Sequence, residues 1–165
     1  MTDTERTGLV SPVLDEPALC ACAQAMAAAV RPPLTCFLQG DLGAGKTTYV
    51  RAMLRALGHA GRVKSPTYGL LEHYELDRLD VLHLDLYRIE NADELEFLGI
   101  DDLFGERTVL MVEWPERGDR LLPEPDFVIR FEHCGAGRRL RFEAHSARGR
   151  ELLKSLQEMI NSFSS

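Results

Sequence analysis

A lysine, two threonines and three closely spaced glycines give this chain a stretch suited to holding phosphate. Gly40-Asp41-Leu42-Gly43-Ala44-Gly45-Lys46-Thr47-Thr48 fits the template G-x-x-x-x-G-K-[ST], with Thr48 as a second hydroxyl. The glycines let the backbone turn tightly and aim successive N–H groups inward as a nest for phosphate oxygens. Lys46 would reach the β- and γ-phosphates as a point charge, and the Thr47 hydroxyl would ligate Mg²⁺. Such chemistry also needs carboxylates near the metal ion, directly or through water. Two acids follow apolar, strand-like residues: Asp85 and Glu113. Glu113 has the cleaner layout, because Val109-Leu110-Met111-Val112 leads into it and Pro115 breaks the chain just beyond. Asp85 lies mid-segment between His83 and Tyr87, and alternating strands routinely place acids on solvent faces. Either acid could ligate the ion or orient the attacking water. His83 is read as a structural histidine. Trp114, the single tryptophan, is read first as a core residue and second as a contact for a partner or nucleotide.

These residues need a strand, a turn and a helix to hold them. Leu34 to Gln39 reads as a buried strand before the loop, and Thr47 to Leu57 as the helix after it, closed at Gly58. That helix would point the positive end of its dipole at the phosphates. Upstream, Asp15-Glu16-Pro17 opens a helix that runs to about Val30 and stops before Pro32-Pro33. Downstream, 59–68 is polar and marked by glycine and proline. Ser65 and Thr67 in it are nucleotide-sensing candidates by position, or parts of a plain connecting loop. Gly69 to Leu76 and Val81 to Arg88 read as two strands of a hairpin, with His83, Asp85 and Tyr87 on one face. An acidic helix capped by Asn91 follows, ending at Gly99. Thr108 to Trp114 is an apolar strand, and 127–133 and 139–145 form a second hairpin joined by Gly135-Ala136-Gly137. Ala147 to Phe163 reads as a last helix, with Leu152, Leu156, Met159, Ile160 and Phe163 inward. Residues 1–13 are a poorly ordered start or a short edge strand around Leu9-Val10, and 162–165 a poorly ordered end.

At 165 residues the chain has the size of one domain, taken here as 1–165. Its 45% hydrophobic and 27% charged content is ordinary for a globular protein. The net charge of −7 argues against binding free nucleic acid over the whole surface. Any RNA contact would need a local basic patch, around Arg51, Arg55, Arg62 and Lys64 or around Arg138, Arg139 and Arg141, or a partner. Cys20, Cys22, Cys36 and Cys134 form no C-x-x-C pair and read as reduced thiols. The Ala-rich run 18–30 lacks a basic leader before it, and no stretch approaches the ~20 apolar residues of a membrane span. The expected location is the cytoplasm.

A GTPase would usually carry N-K-x-D, which is absent; Asp102-Leu103-Phe104-Gly105 fits D-x-x-G but follows an acidic helix rather than a buried strand. ATP is therefore the expected nucleotide. A small-molecule kinase, with Arg117 and Arg120 in a lid, is the rival enzyme, and an ATP-gated binding module the rival that is no enzyme.

Five segments occur together in order: Gly40 to Thr48, Lys64-Ser65-Pro66-Thr67-Tyr68, His83-Leu84-Asp85-Leu86-Tyr87-Arg88, Asp93 to Ile100, and Val112-Glu113-Trp114-Pro115. Jointly they resemble the bacterial TsaE (YjeE) family, over about residues 10–155. The resemblance implies an α/β P-loop fold, with a mostly parallel sheet, antiparallel additions and helices on both faces. It implies an ATPase required for threonylcarbamoyladenosine at position 37 of tRNAs reading ANN codons. That family acts with TsaD, TsaB and TsaC: TsaC makes threonylcarbamoyl-adenylate, and TsaD with TsaB transfers the group. Carried onto this sequence, Gly40 to Thr47 become the phosphate cradle, Thr47 and Glu113 the magnesium ligands, and Asp85 a catalytic or metal-proximal acid. Ser65 to Tyr68 become a switch-like loop and Trp114 a functional aromatic. Arg138 or Arg139 is the expected adenine-side contact. The tRNA would be reached through the TsaD–TsaB pair.

Overall fold

In the computed structural model, residues 8–63 and 70–163 are described. Seven strands form one sheet: β1 (Gly8–Val10), β2 (Leu34–Gly40), β3 (Leu71–Glu75), β4 (Asp80–Asp85), β5 (Thr108–Glu113), β6 (Phe127–Cys134) and β7 (Gly137–Ala144). Their spatial order is β1-β7-β6-β2-β5-β4-β3. The four central strands, β6, β2, β5 and β4, pair in parallel, while β3, β7 and β1 add antiparallel edges. This is the expected α/β P-loop architecture. The Leu9-Val10 edge-strand alternative is the one realised, as β1 against β7.

The central strands are covered on both sides, so they read as near-continuous apolar runs. Alternation then sorts their residues between two cores. Leu34, Cys36, Leu38, Val81, Val109 and Met111 join one core, built with α1 (Glu16–Ala29), α2 (Lys46–Ala56) and α4 (Ala147–Phe163). Leu82, Leu84, Leu110 and Val112 join the other, closed by Leu95 of a 3-10 segment (Ala92–Leu98) and by Ile100 of α3 (Ile100–Leu103). The long helices thus share one face, and short turns cover the second. His83, Asp85 and Glu113 have the parity of Val81 and Val109, so they stand on the side of α2.

Local signals account for most boundaries. Asp15 caps α1, its side chain accepting from Ala18 N–H at 2.9 Å, and Leu19, Cys22, Ala23, Met26 and Ala27 face the core. The acidic segment is a 3-10 helix rather than an α-helix. Asn91 Oδ1 accepts from Asp93 N–H, while Glu94 reaches back to Asn91 N–H, which tightens a short turn at its start. β4 ends at Asp85, earlier than its alternation suggests, because Leu86 N–H donates to Glu113 and the chain turns there. The β6–β7 loop is only Gly135-Ala136, since Cys134 pairs with Gly137. All four cysteines are free, and burial pushes the Cys22 thiol up to about 11.

Candidate functional site

The phosphate loop joins the end of β2 to the start of α2. Glycine is demanded at both ends of it: a Cβ on Gly40 would stand 2.7 Å from the Phe131 carbonyl oxygen, and Gly45 has φ 107°. A Cβ there would stand 3.0 Å from Leu19 Cδ2 and 3.1 Å from Arg138 Cδ and Nη1, so both conformation and space favour glycine. No side chain caps α2 at Gly45, and its first turn holds no acid, so its leading N–H groups and positive dipole end face the loop.

Lys46 is buried, 5% exposed. Its Nζ donates to the carbonyls of Gly40 and Asp41, and lies 4.4 Å from the Trp114 ring centroid. Burial pulls its ammonium below the usual lysine range, while Glu113 and Asp85, foremost among the nearby carboxylates, act against that shift. Thr47 Oγ1 donates to Glu113, at 3.2 Å from Oε1 and 3.3 Å from Oε2. Glu113 is 2% exposed and its Oε2 lies 2.5 Å from His83 Nε2. The paired registers of β4 and β5 set Asp85 directly beside Glu113. Asp85 Oδ1 accepts from Tyr87 N–H at 3.0 Å. Burial raises the Asp85 carboxyl above its ordinary range; the Tyr87 hydrogen bond opposes this, and Glu113 reinforces it.

Lys46, Thr47, Asp85, Tyr87, Glu113 and Trp114 line one cleft of about 430 Å³, together with Leu42, Gly43, Ala44, Thr48 and Arg138. A larger groove of about 880 Å³ lies where β2 begins, beside Pro32 and α4. The motif residues stand at the opposite end of that strand. Among the described residues no group of three His, Cys, Asp or Glu forms a ready metal cage. A hydroxyl and a carboxylate converging from Thr47 and Glu113 nonetheless fit Mg²⁺, which takes oxygen ligands and usually draws only one or two from protein.

Of the residues singled out in the sequence, Leu42 to Thr48, Asp85, Glu113 and Trp114 line the cleft. Gly40 and Asp41 contribute the carbonyls that receive Lys46. Ser65 and Thr67 lie outside the described residues. Arg138 lines the cleft, and Arg139 is not among the lining residues.

Two readings change. Trp114 packs against the second core yet remains half-buried at the cleft, rather than serving the core alone. Its φ of 58° and ψ of 50° are left-handed, a strain of order 1–3 kcal/mol for a residue other than glycine. The bend carries its ring to Lys46 and to Tyr87, whose centroid is 5.0 Å away. His83 is fully buried, as a structural histidine should be, but its partner is the site carboxylate. The available signal was parity: His83 and Asp85 share a strand face beside the strand that Glu113 ends.

Comparison with known proteins agrees with this geometry. The family model for "Threonylcarbamoyl adenosine biosynthesis protein TsaE" matches residues 13–140. A Haemophilus influenzae protein named "tRNA threonylcarbamoyladenosine biosynthesis protein TsaE" is 41% identical over 119 residues, spanning 72% of this chain and 75% of that one. A Bacillus subtilis protein of the same name is 37% identical over 115 residues, 70% and 72% of the two chains. The crystal structure of Bacillus subtilis YdiB superposes with a TM-score of 0.80 at 27% identity, covering 95% of this chain and 99% of that one. The chain belongs to the TsaE family of threonylcarbamoyl adenosine biosynthesis proteins.

Proposed function

We propose that this chain is a magnesium-dependent ATP hydrolase serving threonylcarbamoyladenosine formation at position 37 of tRNAs that read ANN codons. It works bound to TsaD and TsaB, in the pathway that TsaC feeds. One observation carries the reading: Lys46 Nζ, Thr47 Oγ1 and the Glu113 carboxylate converge at the N-terminus of α2, with Thr47 and Glu113 already in hydrogen-bond contact.

Each residue then has a task. The loop N–H groups cradle the phosphates, and Lys46 exchanges its two carbonyl partners for phosphate oxygens. Thr47 and Glu113 would hold Mg²⁺, which would supply positive charge to the phosphates. His83 holds one oxygen of Glu113 and so fixes the carboxylate's orientation. Asp85 keeps Oδ1 on Tyr87 N–H, which leaves Oδ2 without a hydrogen bond among the described residues and free to orient the attacking water. Trp114 walls the cleft from one side, and Arg117 stands 5.5 Å from its centroid while donating to Tyr87 O. Arg117 is thus committed, which weighs against the lid that a small-molecule kinase would ask of it.

With net charge −7, the route to tRNA runs through the partners. The segment Asp93 to Phe97, with Phe97 89% exposed, is the proposed docking edge; Lys64 to Tyr68, the other proposed contact, lies outside the described residues. Charge reversal at Asp93 and Glu96 tests it and spares Glu94, whose carboxylate is occupied by the Glu90 and Asn91 N–H groups. Slowed assembly with unchanged ATP binding is expected. A wild-type association rate removes this edge. No helix among the described residues is long and apolar enough to cross a membrane.

The deciding experiment measures phosphate release from Mg-ATP with and without the TsaD–TsaB pair. Slow release alone, accelerated by the pair, is expected. Transfer of phosphate to a small molecule selects the kinase, and binding without turnover in either condition selects the gated module.

A further inference from the structure

We propose that Phe97 anchors a protein-docking surface built on the short turns over the second core, and that its partner offers an apolar pocket bordered by lysine or arginine. The proposal rests on the partner reading above. It deepens that reading by separating what captures the partner from what keeps it.

The charge of this chain is not spread evenly. Residues 90–106 hold seven Asp and Glu and no Lys or Arg, so this one stretch carries a charge equal to the whole net charge of −7. The remainder of the chain is balanced. All seven acids are exposed, and among the described residues none of them stands in an ion pair.

Within this field stands Phe97, 89% exposed, the most exposed large apolar side chain among the described residues. The fold holds it there. The capping box at Asn91 fixes the start of its segment. Leu95 and Ile100, on either side of it, are buried in the second core, and Leu98 packs against that core. Gly99, with φ 67°, turns the chain between them. With its neighbours pinned inward, the phenyl ring is kept in water, where burial would be favourable and this chain does not supply it. The apolar edge continues onto a 3-10 turn (Asp119–Leu121) that lies beside the Phe97 segment and leaves Leu121 40% exposed.

The two features together choose the occupant. The unpaired acids repel nucleic-acid phosphates and the anionic face of a membrane. A second copy turned face to face would set the same acids against one another. A protein surface that is apolar at its centre and basic around it meets both parts, in the usual arrangement of an apolar centre within a polar rim. The parts also act at different steps. Charges attract before contact and set mainly the rate of encounter. An aromatic anchor acts only once it is seated, and sets mainly the rate of departure.

The test follows association and dissociation of the full chain with the TsaD–TsaB pair, at low and at high salt. Phe97→Ser removes the anchor. Glu96→Gln combined with Asp102→Asn removes two charges and leaves the anchor. Phe97→Ser should melt at the wild-type temperature, because the ring it replaces already stands in water. It should dissociate about tenfold faster or more, the scale of a hot-spot truncation, with little change in association. The charge variant should associate more slowly at low salt and match wild type at high salt, with dissociation little changed. Wild-type dissociation in Phe97→Ser overturns the proposal, as does a loss that falls on association alone. Self-association of the wild-type chain that Phe97→Ser abolishes assigns the surface to a second copy and overturns it too. A wild-type chain that does not bind the pair brings down the partner reading and this proposal together, whereas the preceding outcomes leave that reading standing.

Discussion

Two of the places where carboxylates meet basic groups on this sheet use them differently. On the β6–β7 hairpin, Arg130–Glu143 and Arg141–Glu132 are open to water, with side chains 25–46% exposed. At the rim of β4 and β5, the His83–Glu113 pair is 0% and 3% exposed. Glu143 and Asp85 show the contrast most directly. The Arg130 hydrogen bond, foremost, holds Glu143 below the usual carboxylate range, whereas burial, foremost, holds Asp85 above it. The hairpin makes Glu143 comfortable as an anion, and the rim does not do the same for Asp85. A carboxylate kept where the fold disfavours its charge is weak evidence for stability and better evidence for chemistry.

The comparison can be broken most easily at Lys46. Lys46→Ala should lower ATP turnover by about a hundredfold or more, since positioning and charge supply nearly all of phosphoryl-transfer catalysis. Its melting temperature should not fall, because the lysine's charge is itself disfavoured by burial. Undiminished turnover in a folded variant would leave the rim with no special role. Glu113 comes next. Glu113→Ala should weaken Mg-ATP binding by about tenfold or more and cost about 1–3 kcal/mol in denaturant unfolding, because buried His83 loses its partner. Glu113→Gln keeps hydrogen-bonding capacity there and should lose the metal-dependent binding with little of the stability.

Asp85 and Glu143 sharpen the contrast through pH. A raised carboxyl makes the ionised form a burden on the folded state, incurred as pH rises through that raised value. Asp85→Asn should therefore melt above wild type at neutral pH, with the gap closing as pH falls toward the ordinary carboxylate range, while turnover drops more than affinity. Glu143→Gln should behave oppositely. Its folded-state carboxyl is lowered, so wild type is the more stable at neutral pH, and that advantage disappears as pH falls through the lowered value. Parallel thermal scans from acid to neutral pH check both, and equal signs would erase the distinction. The smallest effect belongs to Arg130→Ala, within about 1 kcal/mol in the same unfolding assay, as for exposed ion pairs. A loss as large as that of Glu113→Ala would break the comparison from the other side.

The sheet, its hairpins and the loop were readable in the sequence because each rests on local physics. Four apolar residues lead into Glu113, Pro17 and Asp15 open α1, and glycines mark the phosphate turn. What escaped were contacts made across long sequence separations. His83 and Glu113 are thirty residues apart, and only the β4–β5 register brings them within reach. Trp114 looked like core because a tryptophan after an apolar strand usually is, and no propensity foretells a left-handed bend at that residue. Arg138 and Arg139 were indistinguishable by composition. Alternation along β7, with Leu14 holding Arg138 by its backbone, separates them. The switch to 3-10 geometry after Asn91 was likewise hidden, because the same capping residues open either helix type.

The bend at Trp114 has a spectroscopic consequence. No other tryptophan exists in the chain, so its near-ultraviolet-excited emission comes from one place, the wall of the cleft. That indole has the Lys46 ammonium 4.4 Å from its ring centroid and the Arg117 guanidinium at 5.5 Å. On the proposed reading, Lys46 leaves the indole for a phosphate while Arg117 stays, and the emission should then change in intensity and colour. The unlabelled protein therefore carries its own optical gauge of the lysine's position, readable in a stopped-flow cell on the timescale of nucleotide arrival.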